Sequence, residues 1–296
     1  MKKTILTVKD SALSFLVGFL LYQISVVVIT CLALIVYTLC GLDTSEFLPF
    51  LNTSLGYMIT SLTLYLTMLF VFFFYNKKKD NKIFKKVKTN KILLYISISL
   101  TSFLCLYPII TCVDSLLVKC GAKINTLPYS LSTKNYFISL ITLVIAPAVC
   151  EELLFRGIIF QGLRKHGKIF SITISALMFS IYHMAISQTL YPILIGLLLG
   201  VIMYYEENIY YCIAVHMTNN FTSLTLSYFK INLVFNHWTY ILLAIILAVV
   251  FISLILCFLI RKYKTNEKQP MTKHEKIYLY TSLAIMIVFW IFANFS

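Results

Sequence analysis

Residues 136–163 read YFISLITLVIAPAVCEELLFRGIIFQGL, a long apolar stretch interrupted by one charged group, Glu151, Glu152 and Arg156. About 20 apolar residues in a helix cross the hydrocarbon core of a bilayer. The stretch therefore predicts a membrane-spanning helix with three ionisable side chains at membrane depth. Each costs about 2.5–3.5 kcal/mol there, so those that are kept usually face a protein interior and have a function.

Similar apolar runs lie on both sides of this stretch. None of them alternates as the strands of a membrane barrel would, and only helices and closed barrels satisfy their backbone inside lipid. We therefore predict an all-α fold, a polytopic membrane helix bundle of eight or nine transmembrane helices. The runs fall at about 11–39, 55–75, 92–118, 136–163, 169–186, 190–205, 209–229, 238–260 and 277–295.

The composition of the 296 residues agrees with this interpretation. Hydrophobic residues make up 60% of the chain, its mean hydropathy is +0.88, and 12% of its residues are charged. A soluble domain has about 25% charged residues, so a large soluble domain is excluded. The eight cysteines include no CxxC pair and are interpreted as small packing residues.

The net charge of +14 comes from basic residues in short loops and not from one face of an amphipathic helix. This distribution is typical of loops that set the orientation of a membrane protein, and it predicts no nucleic-acid partner. Basic residues cluster near the N-terminus, between Lys77 and Lys91, at 164–168 and between Arg261 and Lys276, whereas the alternate loops hold Lys119, Lys123, Lys134 and Lys230. The N-terminus is therefore predicted to be cytoplasmic, and the lysine run 77–91 is a candidate for contact with membrane lipids.

Three helices contribute the polar residues at membrane depth. Glu152 and Arg156 are i, i+4 neighbours that can pair, while Glu151 points about 100° away. His183 lies in the next helix, and His216 and Asn220 form a second i, i+4 pair. At about 1.5 Å per residue, Glu151, His183, His216 and Asn220 lie roughly 20, 21, 10 and 17 Å from the inner ends of their helices. They are expected to converge.

Such a cluster suits peptide hydrolysis. A buried carboxylate at Glu151 can act as general base for a water that a histidine shares, and His216 and Asn220 can donate to an oxyanion. The same groups, Glu151, His183 and His216, could instead hold a divalent metal such as zinc with its water. The residues alone leave the cofactor undecided between none and such a metal.

The ordered motifs EExxxR (Glu151, Glu152, Arg156), FxxxH (Phe179, His183) and HxxxN (His216, Asn220) resemble those of the CPBP family, the CAAX proteases and bacteriocin-processing enzymes also called Abi proteins. The resemblance implies an intramembrane endopeptidase with a catalytic core at 136–229, between transmembrane helices at 1–135 and 230–296. It implies that Glu151 and His183 activate water, that His216 and Asn220 form the oxyanion site, and that Glu152 and Arg156 support them.

The implied substrate is a membrane-associated peptide, and the implied role is bacteriocin maturation or self-immunity. A composition rich in Lys, Asn and Ile favours a low-GC bacterium and its plasma membrane. Two alternatives remain: a non-catalytic membrane immunity or binding protein, and a proton-coupled transporter. His166, His237 and His274 are assigned no role, and Glu206 and Glu207 are expected to be solvated in a tight turn.

Overall fold

The structure is a computed structural model that describes residues 5–77, 82–122, 129–231 and 269–295, with isolated helical positions between 242 and 255. The described ranges form helices and turns without a β-strand, so the all-α prediction is confirmed. Their long helices are α1 (Val8–Leu39), α2 (Ser54–Asn76), α3 (Thr89–Lys119), α4 (Thr133–His166), α5 (Lys168–Tyr182), α6 (Leu190–Glu206), α7 (Ile209–Tyr228) and α8 (Lys273–Phe295).

Among the described residues, six helices are long and apolar enough to cross a membrane, and the apolar α5 is shorter. These are α1 to α4, the segment Ile186–Glu206 that contains α6, and α8. A polytopic membrane bundle is therefore confirmed, while the number of eight or nine crossings stays a prediction. The run predicted at 238–260 lies outside the described residues except for the isolated positions.

Local sequence signals set the helix boundaries. Thr7 and Asp10 form a reciprocal capping box at the start of α1, and the Asn208 side chain caps α7 by accepting from the Tyr210 N–H. Between α4 and α5, Gly167 has a φ of 114°, a conformation that costs a residue with a Cβ. This glycine allows the chain to reverse within one residue, so that α4 and α5 lie side by side.

Helix α4 contains two π-helical turns, Leu140–Ile145 and Phe155–Ile159, on either side of the regular segment Ala146–Leu154. The first turn precedes Pro147, whose ring would clash with the carbonyl four residues earlier in a regular helix. A π turn widens the helix there and makes room for the ring. The segment with the two glutamates is thus set apart from both ends of α4.

The core surrounds α4. Leu154, Phe155, Ile158 and Ile159 are at most 1% exposed, whereas α1 leaves residues such as Val27 and Leu32 open on its outer face. Helices α5 and α6 approach so closely that a Cβ added at Gly196 would lie 3.1 Å from Ala176 Cα. Small residues let backbones of membrane helices meet in this way. The site residues therefore belong to a tightly packed centre.

The ends of α2, α4 and α6 and the starts of α3, α5 and α7 meet at one end of the bundle, which we call the basic end. There the Ile209 N–H donates to the Ile83 carbonyl (3.0 Å). Lys85 Nζ lies 2.6 Å from Glu207, and Lys91 Nζ lies 2.5 Å from Glu206. The expectation that the two glutamates are solvated was wrong for Glu206, whose side chain is ion-paired and only 17% exposed. The Glu207 side chain is also ion-paired, but it is 44% exposed to solvent.

His166 also belongs to this end of the molecule. Its ring is buried, and Nδ1 lies 2.7 Å from the Gln269 carbonyl, so Nδ1 donates the hydrogen bond. The Gln269 N–H donates in turn to the Lys165 carbonyl. His166 thus ties the segment before α8 to the α4–α5 turn, a structural role that the sequence did not indicate.

Candidate active site

A cavity of about 490 Å³ lies inside the bundle and brings together side chains from three of the predicted motifs. Its lining includes Glu151 of α4, His183 after α5, and His216 and Asn220 of α7. Glu152 and Arg156 do not line the cavity but lie behind it in the core. The structure therefore places four of the six predicted site residues around one space and the other two in contact with that group.

Glu152 and Arg156 form a fully buried ion pair, as their spacing predicted. Arg156 Nη1 donates to Glu152 Oε1 over 3.1 Å, and Nη2 donates to the Gly196 carbonyl over 3.2 Å. Both side chains have no exposed surface. A buried charge needs this kind of pairing, because desolvation of either partner alone costs several kcal/mol.

His216 links this pair to Glu151. Its Nδ1 lies 2.8 Å from Glu152 Oε1, and its Nε2 lies 3.8 Å from Glu151 Oε2. Since an ion-paired carboxylate only accepts, Nδ1 carries the proton of the neutral ring and Nε2 has the lone pair. The tautomer of His216 is thereby set, with its free nitrogen directed at the Glu151 carboxylate.

His183 presents its second nitrogen to the same cavity. The predicted helix 169–186 ends at Tyr182, and His183 forms the C-cap. Its Nδ1 lies 2.9 Å from the Phe179 carbonyl, which can only accept, so Nδ1 is the donor and Nε2 is free. Met184 follows with a φ of 53° and turns the chain away. His183 therefore lies at the end of α5, and its Nε2 is available to act as a base.

Glu151 has an oxygen without a partner. Oε2 is buried and accepts no hydrogen bond from the described residues. Buried carboxylate oxygens are nearly always hydrogen-bonded in folded proteins, to protein or to water. This oxygen lies 3.8 Å from His216 Nε2 on a residue that lines the cavity, and it is thus positioned to accept from a water molecule or from a ligand.

Comparison with known proteins agrees with this geometry. Residues 133–222 match the family model described as type II CAAX prenyl endopeptidase Rce1-like. We refer to residues 133–222, which are similar to this family, as the Rce1-like segment. The match confirms the resemblance to the CAAX proteases, a family of intramembrane endopeptidases, and it contains all six predicted site residues. No curated protein and no solved structure matches the chain.

Within the Rce1-like segment, the donor set does not fit a metal ion. The described residues contain no group of three His, Cys, Asp or Glu side chains placed to hold one. The predicted alternative set of Glu151, His183 and His216 is therefore not placed as a ligand cage.

Phe179 is a residue of the Rce1-like segment whose contacts the sequence did not predict. Its ring lies edge-to-face with the rings of His183 (centroids 4.9 Å apart) and His216 (5.8 Å). The Arg156 guanidinium lies 4.6 Å from the same ring centroid. One aromatic side chain thus separates and orients three functional groups. The FxxxH motif includes Phe179, but its spacing does not reveal these contacts.

Asn219 and Tyr191 were also missed. Both line the cavity, and the Tyr191 hydroxyl donates to Asn219 Oδ1. The HxxxN spacing drew attention to Asn220, which lines the cavity as well, while Asn219 is buried beside it. The sequence shows two adjacent asparagines, but the HxxxN spacing selects Asn220 alone, so Asn219 was overlooked.

Proposed function

We propose that the protein is an intramembrane endopeptidase that hydrolyses a peptide bond of a membrane-associated peptide with water activated by Glu151 and His183. The observation that supports this most is the buried, unpartnered Glu151 oxygen facing a cavity that His183 and His216 share. The match of residues 133–222 to CAAX endopeptidases gives the same class of reaction.

The first step needs a base and a second acceptor for the water. Glu151 Oε2 takes one proton while the water oxygen forms a bond to the carbonyl carbon of the substrate. His183 Nε2 accepts a hydrogen bond from the other proton and orients the attack. General bases placed in this way contribute about 10²–10⁴-fold to a rate.

The oxyanion that results needs donors. Asn220 can donate through its amide. The proton that Glu151 takes from the water can pass to His216 Nε2, 3.8 Å from Glu151 Oε2, so that His216 donates to the oxyanion while Glu152 fixes the orientation of the ring from behind; the same proton then returns to Glu151. When the C–N bond breaks, Glu151 returns its proton to the leaving amine. The products are a carboxyl group and an amine, and both carboxylates return to their starting states.

The cavity lining favours an uncharged peptide segment. Apart from Glu151 and the two histidines, it is made of aromatic, aliphatic and neutral polar side chains, among them Tyr57, Phe103 and Ser223. An extended apolar peptide of a bacterial membrane protein or bacteriocin precursor fits such a lining. Bacteriocin maturation or self-immunity in a plasma membrane, with the N-terminus cytoplasmic, remains our proposal for its biological setting.

The test compares two Glu→Gln variants in purified protein. A panel of quenched fluorescent peptides is screened with the wild type in detergent, and the best peptide is used to measure kcat. Glu151→Gln is expected to lower kcat by about 10²–10⁴-fold, because it removes the base. Glu46→Gln, which changes an exposed loop glutamate, should have no effect.

Cell protection separates catalysis from a binding role. If the gene protects cells against a bacteriocin, the Glu151→Gln variant should lose that protection while its amount in the membrane is unchanged. Full protection by this variant would contradict the protease and support the non-catalytic immunity protein.

A further inference from the structure

We infer that the active-site cavity opens toward the end of the bundle opposite the basic end, on the extracytoplasmic side, so that the enzyme takes peptide segments from the outer face of the membrane. This inference rests on the proposed function. It adds to that function the side of the membrane from which the substrate enters the site. We call the opposite end the far end.

The positions of the lining residues give the direction of the opening. On α4 the lining residues are Leu143, Pro147 and Glu151, which run from the carboxylate toward the start of the helix. On α6 they are Tyr191, Pro192 and Ile195, which lie in its first half. The start of α4 and the start of α6 both lie at the far end. The cavity therefore extends from Glu151 to the far end.

A polar stripe on α7 follows the same direction. His216, Asn220, Ser223 and Ser227 are spaced by four, three and four residues, so they share one face of the helix. All four line the cavity, and the two serines are exposed. At about 1.5 Å per residue the stripe is roughly 16 Å long. It forms a polar path from the site toward the end of α7.

The opposite direction is closed by apolar packing. One to two turns beyond Glu151 toward the basic end, Leu154, Phe155 and Ile158 are at most 1% exposed. On α7, Ile209 and Cys212 have no exposed surface on the side of His216 that faces the basic end. Within the described residues, the packing thus closes the cavity toward the basic end and leaves it open toward the far end.

Charge assigns the two ends to sides of the membrane. In the described ranges the basic end holds Lys77, Lys82, Lys85, Lys86, Lys88, Lys91, Arg164, Lys165 and Lys168, whereas the far end holds Lys119, Lys134 and Lys230 together with Asp43 and Glu46. Loops rich in Lys and Arg remain in the cytoplasm. The open end of the cavity thus faces outward, which points to an exported or surface-exposed polypeptide as the substrate.

The direct test is thiol labelling in right-side-out membrane vesicles. The starting variant replaces the exposed Cys31, Cys40, Cys112 and Cys120, and also Cys257, by serine. Ser227→Cys and Ser223→Cys are then compared with Lys86→Cys, an exposed position at the basic end. A membrane-impermeant sulfonated maleimide should label the two serine positions at least tenfold faster than Lys86→Cys. After detergent is added, Lys86→Cys should label as fast as Ser227→Cys.

The outcomes separate the direction of opening from the chemistry. Faster labelling of Lys86→Cys than of both serine positions before detergent would overturn the outward opening, even if the enzyme cleaves its peptide normally in detergent. Absence of cleavage by the wild type in detergent, with the labelling as expected, would contradict the proposed function and still support an outward-facing cavity. In an active preparation, attachment of the maleimide at Ser223→Cys from outside should also block cleavage.

Discussion

Two adjacent glutamates of α4 have opposite surroundings. Glu152 Oε1 accepts from both Arg156 and His216 and has no contact with the cavity. Glu151 faces the cavity with a free oxygen. Because neighbouring residues of a helix point about 100° apart, one carboxylate can be committed to structure while the next is kept for chemistry. Of the two adjacent glutamates, Glu152 therefore has a structural role and Glu151 is available for catalysis.

Glu152→Gln should impair catalysis through His216. The amide oxygen or the amide nitrogen can face Nδ1, so the variant no longer selects the tautomer with a free Nε2. We expect kcat to fall by about 10²–10⁴-fold with little change in KM, by analogy with loss of the orienting carboxylate in a Ser-His-Asp triad. Steady-state kinetics in detergent would measure this. An unchanged kcat with intact folding would show that Glu152 does not position His216.

Arg156→Met should destabilise the protein because it leaves Glu152 as an unpaired charge in the core. Removing one partner of a buried ion pair costs about 3–5 kcal/mol. The double variant Glu152→Gln/Arg156→Met, which removes both charges, should recover much of that loss. Thermal unfolding in detergent, followed by size-exclusion chromatography, compares the two. Equal destabilisation of the single and double variants would contradict the importance of the pair.

At the scale of elements, the two π turns of α4 isolate the segment Ala146–Leu154. Each π turn contains one residue more than a regular turn, and such turns are frequent at functional sites. The directions of the two carboxylates around the helix axis therefore differ from those that an uninterrupted α-helix would give them. The sequence gives one cause, Pro147, while the second turn at Phe155–Ile159 has no comparable signal.

Gly196→Ala tests the close contact of α5 and α6. A Cβ at this position would lie 3.1 Å from both Cα and Cβ of Ala176, so the two helices must separate. Overpacking of this kind costs about 1–3 kcal/mol, and here it also moves the carbonyl that Arg156 contacts. Gly18→Ala is the matched control, since its nearest neighbour would be 3.5 Å away. We expect a lower melting temperature and lower activity for Gly196→Ala only.

At the scale of the whole molecule, Glu207 joins three separate parts of the chain. Its carboxylate pairs with Lys85, from the α2–α3 connection, and with Arg164, from the end of α4. The hydrogen bond from Lys85 and the charge of Arg164 lower the pKa of Glu207 below its ordinary value of 4.5. The turn between α6 and α7 is thus held by charge as well as by backbone hydrogen bonds.

This pairing makes a small part of the stability depend on pH. Because the pKa of Glu207 is lower in the folded state, its contribution is complete above about pH 4.5 and is lost as the pH falls through the lower, folded value. The melting temperature of wild type minus that of Glu207→Gln should be constant between pH 7 and 5 and should shrink at lower pH. Exposed pairs contribute about 1 kcal/mol or less. A difference that grows on acidification would contradict this assignment.

Much of this organisation could be predicted from the sequence. The helix positions followed from apolar runs, and convergence of Glu151, His183, His216 and Asn220 followed from counting residues along three helices. The contacts of Phe179 and the presence of Asn219 beside Asn220 in the cavity lining depend on side-chain packing between helices. The spacing of residues along one helix does not give this packing. The ion pairs of Glu206 and Glu207 were missed because their partners lie 43 to 122 residues away in the sequence.

The pairing of Glu152 with Arg156 within a single helix has a consequence for biosynthesis. A helix that neutralises its own charges can leave the protein-conducting channel for lipid without waiting for a partner helix, since the penalty of about 2.5–3.5 kcal/mol per isolated charge is reduced. Gly196 and His216, the other partners of this pair, are synthesised later. Insertion of α4 into the membrane should therefore precede assembly of the site, because the Glu152–Arg156 salt bridge lowers the free-energy cost of inserting the helix that contains it.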